Sequence, residues 1–254
     1  MTVKPPGLGL YALEVDTKGA AADIRLNDIP VAIVGLPGGS GQAFIPVPDY
    51  IIRGTNRLAA RVMAVPEHQP SAAKVVIRIA RFDEGDGFFS NAGQELVRLD
   101  WNGTPGQAML ARDFQADFGP LQWSWGRCAT WSTPAEALND AAAFVRDLVK
   151  AYFAADADWI EHASSAKFAD LALAFPSIPV AVQKAQIANA IRSDPPEPVP
   201  NLPPPQPVLC CERRLLMLLG SDGHPWLRKQ RPGARGSGAQ LKLGKIDRAW
   251  QLIR

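Results

Sequence analysis

Three histidines (His68, His162, His224), three cysteines (Cys128, Cys210, Cys211) and 25 acidic residues are the raw material for metal or acid–base chemistry in this chain. No histidine stands in a His-Glu-x-x-His or other ligand spacing, and no two cysteines are separated by the two residues a zinc site uses. The pattern therefore predicts no metal site and no bound cofactor. Adjacent Cys210 and Cys211 would strain badly if joined to each other, so buried free thiols are expected. Gly35-Leu-Pro-Gly-Gly-Ser-Gly41 follows an apolar run, but it lacks the Lys-Ser/Thr ending of a phosphate loop, and a Pro-containing extended segment takes the place of the helix. It reads as a hairpin loop. Ser40 is not a nucleophile elbow, because Gln42 stands where the second glycine is required. Asp156, Asp158 and Glu161 crowd a helix start, with His162 next. Capping explains them, since a carboxylate there stabilises the helix by about 0.3–1 kcal/mol. Asp156 or Asp158 as a general base is the catalytic alternative.

The aromatic residues offer a different chemistry. In Leu121-Gln-Trp-Ser-Trp-Gly-Arg127, an extended backbone would place Trp123 and Trp125 on one face, beside Arg127. Such a pair could stack a sugar ring or another apolar ligand; core packing is the competing explanation. Phe88 and Phe89, inside the Gly- and acid-containing loop 83–93, either anchor that loop or await a partner. Trp123, Trp125, Arg127, Phe88 and Phe89 are thus the candidate ligand-binding residues, and no catalytic set is assigned.

The elements that must carry these residues change character along the chain. Strand-sized runs broken by Gly, Pro, Asn and Asp occur at Leu10–Val15, Ala22–Leu26, Val31–Val34, Gln42–Val47, Arg57–Val62, Lys74–Arg81 and Glu95–Trp101. In Lys74–Arg81, the alternation puts Val75, Ile77 and Ile79 on one face. No helical pattern intervenes, which predicts an antiparallel β-sandwich over residues 1–120. Leu26-Asn27-Asp28 and Gly54-Thr55-Asn56-Arg57-Leu58 make turns with a physical logic: Gly54 can take φ > 0, and the Asn56 side chain can close the turn before Leu58 enters the sheet. With this rhythm, the stretch 22–59 resembles the galactose-binding-like jelly-roll modules found beside many glycoside hydrolases. The resemblance implies a jelly-roll sandwich and assigns no sugar-binding residue.

Helical spacing takes over after residue 120. Thr133-Pro134-Ala135-Glu136 is a capping box with Pro in the first turn, and Leu138, Ala142, Val145, Leu148, Val149 and Tyr152 follow at helical intervals. A second box at Asp158-Trp159-Ile160-Glu161 opens a helix running to Pro176, and a third is expected from Pro179 to Ile191. The proline-rich connector 195–207 is neither helix nor central strand. Beyond it, Arg213–Leu219 reads as a buried strand, and Ala239–Ile246 with Ala249–Ile253 as a hairpin turning at Asp247-Arg248. The Ala151–Asp158 segment, containing Asp156 and Asp158, and the hairpin residues Ile246, Asp247 and Trp250 give this half a pattern similar to the nuclear-transport-factor-like (SnoaL-like) α+β cone. That resemblance implies helices packed on a curved sheet around a pocket, in a family that holds isomerases, dehydratases and non-catalytic subunits.

The whole is expected to be α+β: a sandwich domain over 1–120, then helices and a small sheet over 121–254. With 47% hydrophobic and 20% charged residues, the chain has the composition of a folded protein. A net charge of +2 is too small for a nucleic-acid-binding domain, although Arg228, Lys229, Arg231, Arg235, Lys242, Lys245, Arg248 and Arg254 concentrate near one end. The start shows no signal-peptide pattern and no run is long enough to span a bilayer, so a cytoplasmic, non-membrane protein is expected. Nothing specifies an oligomeric state. The leading functional expectation is a non-catalytic binding module for a carbohydrate-like ligand or a protein partner. The alternatives are an isomerase- or hydrolase-type enzyme with a pocket in the second half, and a structural subunit of an assembly.

Overall fold

The computed structural model describes residues 10–36, 38–64, 73–82, 93–103, 108–117, 122–193, 202–221, 223, 225–227 and 241–253. The fold is α+β, and the chain divides into two compact units, Met1–Gln122 and Trp123–Arg254.

The first unit is the expected sandwich, with eight strands among the described residues: β1 (Leu10–Lys18), β2 (Ala20–Leu26), β3 (Ile29–Val34), β4 (Gly41–Pro46), β5 (Gly54–Ala64), β6 (Lys74–Phe82), β7 (Gln94–Asn102) and β8 (Ala108–Ala116). They form two antiparallel four-stranded sheets, ordered β4-β1-β6-β7 and β3-β2-β5-β8. The inward rows of both sheets bury one common core: Leu13 and Val15 of β1, Ile77 and Ile79 of β6, Ile24 and Leu26 of β2, Leu58 and Val62 of β5. Period-two alternation produces this arrangement directly, because each strand offers one apolar face to the other sheet.

The Asn turns lock the second sheet. Asn27 and Asp28 have φ of 53° and 61°, the paired left-handed residues of a tight β2–β3 hairpin. The Asn27 side chain donates to Tyr50 O (2.8 Å) and to Asn56 Oδ1 (2.8 Å), and its oxygen accepts from Arg57 N (2.9 Å). Asn56 is buried and fully used: its oxygen also accepts from Ile52 N (2.9 Å), and its amide donates to Ile52 O (2.8 Å) and Gly54 O (3.1 Å). Gly54 takes φ of 99°, the conformation expected of it.

In the second unit, α1 (Pro134–Phe153), α2 (Ala157–Ala163), α3 (Ser165–Ala174) and α4 (Val180–Ser193) accompany an antiparallel sheet of β9 (Gln206–Cys210), β10 (Leu215–Leu219), β11 (Lys242–Ile246) and β12 (Ala249–Leu252), ordered β12-β11-β10-β9. Ala137, Ala141, Val145 and Leu148 of α1 share a core with Leu216, Leu218, Leu243 and Leu252 of the sheet. Thr133 Oγ1 accepts from Glu136 N (3.1 Å), as a capping box requires, while the Glu136 carboxylate reaches Ser132 N (3.0 Å). Asp247 and Arg248 turn the hairpin with φ of 49° and 70°.

Several expectations need correction. β8 is a strand that the sequence analysis does not predict. The helix expected from Asp158 to Pro176 is two helices broken at Ser164, and its cap is Asp156, which accepts from Trp159 N (3.0 Å). The break is stabilised from outside the helix: Gln251 Oε1 accepts from Ser165 Oγ (3.1 Å) and Ala166 N (3.2 Å), satisfying donors that a fresh helix start would leave orphaned. The connector gives way to strand at Gln206, where Pro207 is tolerated because β9 is an edge strand of its sheet.

Candidate functional site

The aromatic platform is not where the sequence placed it. Trp123 and Trp125 do not lie on a strand; residues Ser124–Arg127 form a 3-10 helix with Trp123 as its cap. Both indoles are buried, Trp123 at 1% and Trp125 at 8% exposure, so neither offers a stacking surface. The cause is local. Asp170 of α3, itself buried, accepts from Ser124 N (3.1 Å) and Ser124 Oγ (2.8 Å), and this anchor coils the chain at the point where alternation needed it extended. Arg127 is exposed, while Phe88 and Phe89 lie outside the described residues. The cluster near Asp156 is engaged in structural work: Asp156 caps α2, Asp158 pairs with Arg192 (2.9 Å) and Glu161 with Lys184 (2.8 Å). His162 sits in the last turn of α2, while His68 and His224 lie outside the described residues. Among the described residues no group of three or more His, Cys, Asp or Glu could hold a metal ion. Cys128 is buried beneath β11, where a Cβ added at Gly244 would collide with its Sγ, and burial pushes its thiol up to about 12.

A convergent set of polar groups occurs instead at one end of the sandwich. Tyr11 on β1 pairs directly with Arg81 on β6, and Arg81 pairs with Gln94 on β7, so the three residues form one row across three strands. Tyr11 continues the inward row of Leu13 and Val15, and Arg81 continues that of Val75, Ile77 and Ile79. The apolar interior thus ends in a polar rim. Gln94 joins that rim through a β-bulge. Ile79 faces Val97 but Ala80 faces Glu95, so Leu96 is an extra residue and the alternation of β7 shifts by one. In unbroken register Glu95 would stand opposite Arg81; with the bulge a neutral amide does, and Glu95 approaches Arg98 instead (3.7 Å).

The end of β8 closes the set from the other sheet. Tyr11, Arg81, Gln94, Leu96, Gln115, Ala116 and Asp117 line a cavity of about 390 Å³. The Gln115 amide is turned aside to Thr55 Oγ1 (2.9 Å). Burial raises the pKa of the Tyr11 phenol; the positive Arg81 opposes that rise and the negative Asp117 adds to it, so the hydroxyl stays protonated. One wall of the cleft therefore presents donors, the guanidinium and the phenol. Gln94 supplies both donor and acceptor, Asp117 only acceptors, and Leu96 and Ala116 a small apolar patch.

A second cluster lies in the other unit. Trp131 and Trp250 stack at 5.4 Å and 14°, Lys245 lies 5.6 Å from the Trp131 ring centre, and Asp140 of α1 accepts from Lys245 Nζ (2.6 Å) and Trp250 Nε1 (2.7 Å). The hydrogen bonds from Lys245 and Trp250 hold the Asp140 carboxyl below its usual range. Asp140 thereby satisfies Lys245 and Trp250 and fastens the C-terminal hairpin to α1, while the buried Trp131 Nε1 makes no hydrogen bond among the described residues.

The sequence analysis does not single out the cleft. Its one signal in the sequence is that Arg81 shares the parity of Val75, Ile77 and Ile79, which places an ionisable side chain on a core-facing row. Comparison of the chain with protein-family models, with curated proteins and with solved structures finds no match.

Proposed function

We propose that the chain is a non-catalytic binding module that takes a small polyhydroxylated, carbohydrate-like ligand in the cleft at the end of its sandwich. The observation that carries this reading is the row Tyr11–Arg81–Gln94 facing Asp117 across one cavity. A hydroxyl group both donates and accepts, so neighbouring hydroxyls can accept from Arg81 and Tyr11 while donating to Asp117. Leu96 and Ala116 suit the apolar face of a sugar ring. At about 390 Å³ the cavity lies at the small end of ligand sites, the size of a mono- or disaccharide.

The test is isothermal titration of the full chain against neutral mono- and disaccharides. At least one should bind, and Gln94→Ala should weaken it about tenfold, the equivalent of one hydrogen bond lost to the ligand. Failure of every saccharide to bind at millimolar concentration, or binding indifferent to Gln94→Ala, removes the reading.

A further inference from the structure

We infer that α4 is a releasable strap, which opens as a whole off α2 and α3 while α1 and the sheet beneath it stay folded. The inference is independent of the cleft, which lies in the other unit.

Burial of an apolar face is what holds a short helix in place, because an isolated helix of about 12–15 residues is marginal in water. α1 buries Ala137, Ala141, Val145, Leu148 and Ala151; α2 buries Ala157, Ile160 and Ala163. α3 buries Ala166, Phe168 and Ala174 beside Asp170. The 14 residues of α4 bury one side chain, and it is polar: Gln183. Its Nε2 donates to Ile178 O (3.0 Å), but its Oε1 is shut off from solvent with no donor. An orphaned buried acceptor works against docking. Val182, the residue before it, is exposed, so the helix shows an apolar side chain to water and an amide to the interior. Gln183, Ile187 and Ile191 share one face at helical spacing, yet Ile187 and Ile191 are only half-buried.

The remaining side-chain ties lie near the surface. Lys184 pairs with Glu161 (2.8 Å) and crosses the Phe168 ring at 5.5 Å, and Arg192 pairs with Asp158 (2.9 Å). Ion pairs so exposed shift an equilibrium by about fivefold at most. Burial of one Val or Leu side chain shifts it by about tenfold or more. α1 has two such side chains, Val145 and Leu148, where α4 has none. α4 is therefore the most weakly held of the four helices and the first to open.

Native-state hydrogen exchange of the full chain in low urea tests this. Amides from Ala185 to Ile191 should be about a hundredfold less protected than those around Val145 and Leu148, and should share one urea dependence, as concerted release requires. Gln183→Met removes the orphaned oxygen and completes the apolar face with Ile187 and Ile191. Ile178 lies in the exposed loop 176–179, where water can replace the lost donor. The variant should slow exchange of α4 about tenfold and leave α1 unchanged. Equal protection of α4 and α1 overturns the inference, as does residue-by-residue fraying of α4 with no common urea dependence. So does a folded Gln183→Met chain whose α4 exchanges at the wild-type rate. Should that variant fail to fold, the wild-type comparison decides alone.

Discussion

Asn56→Ala should destabilise the sandwich by about 3 kcal/mol. The side chain is 1% exposed and takes part in four hydrogen bonds, at 2.8, 2.9, 2.8 and 3.1 Å. Truncation leaves Ile52 N–H and Ile52 C=O without their partner, and a buried group so orphaned costs about 1–3 kcal/mol. Asn27 loses one of two acceptors but keeps Tyr50 O, and Gly54 O is near the surface, so these add little. Two serious losses, each softened because Ile52 is only half-buried, give the total. With a urea m-value of about 2 kcal/mol per molar, the midpoint should fall by about 1.5 M. Six of the seven tryptophans lie in the second unit, so fluorescence reports mainly on that unit. Native-state amide exchange of β2 and β5 places the effect where it belongs. Asn56→Asp, which keeps both accepted bonds and loses both donated ones, should fall between the two. A midpoint shift below about 0.5 M for Asn56→Ala would refute the claim that this side chain holds the turn.

Three further outcomes follow from packing and caps. Thr133→Ala should cost about 1 kcal/mol by removing the bond to Glu136 N, read by thermal or urea unfolding; no measurable change would mean the helix is capped without it. Trp123→Ala and Trp125→Ala should each destabilise by about 3–5 kcal/mol, as buried aromatics do, whereas residues of an open platform would leave the melting temperature nearly unchanged. Cys128 should resist alkylation in the folded chain at pH 8. Its folded pKa is raised, so its contribution to stability is intact below the unfolded value near 9 and is lost as pH climbs from there towards about 12. Rapid labelling of Cys128 under native conditions would contradict this.

The sandwich was legible because period-two alternation, repeated in seven strands, leaves few other ways to bury apolar rows. The Asn56 turn was legible for a different reason: glycine and asparagine each do one thing well at such a corner. β8 escaped because Ala108-Met-Leu-Ala-Arg-Asp-Phe-Gln-Ala116 alternates weakly, its edge position leaving Met109 and Arg112 exposed. The error at Trp123 and Trp125 has the same root as the break at Ser164. In both, a side chain distant in sequence, Asp170 or Gln251, supplies the hydrogen bonds that set the local backbone. The cleft was least legible of all, because it depends on register. Tyr11, Arg81 and Gln94 meet only when β1, β6 and β7 pair as they do, and no local pattern announces the bulge that selects Gln94.

That bulge makes the cleft tolerant of chain length and sensitive to pairing. Glu95 and Leu96 share the step opposite Ala80, so loss of either residue would restore plain alternation and still leave Gln94 opposite Arg81. The row would change only if β7 kept its length and lost the bulge, its first residues sliding by one. Glu95 would then stand opposite Arg81, and an acid would face the guanidinium across the mouth where a ligand is proposed to enter. A substitution that alters how β7 pairs with β6, rather than a deletion there, is therefore the change able to silence the site while every side chain lining it survives.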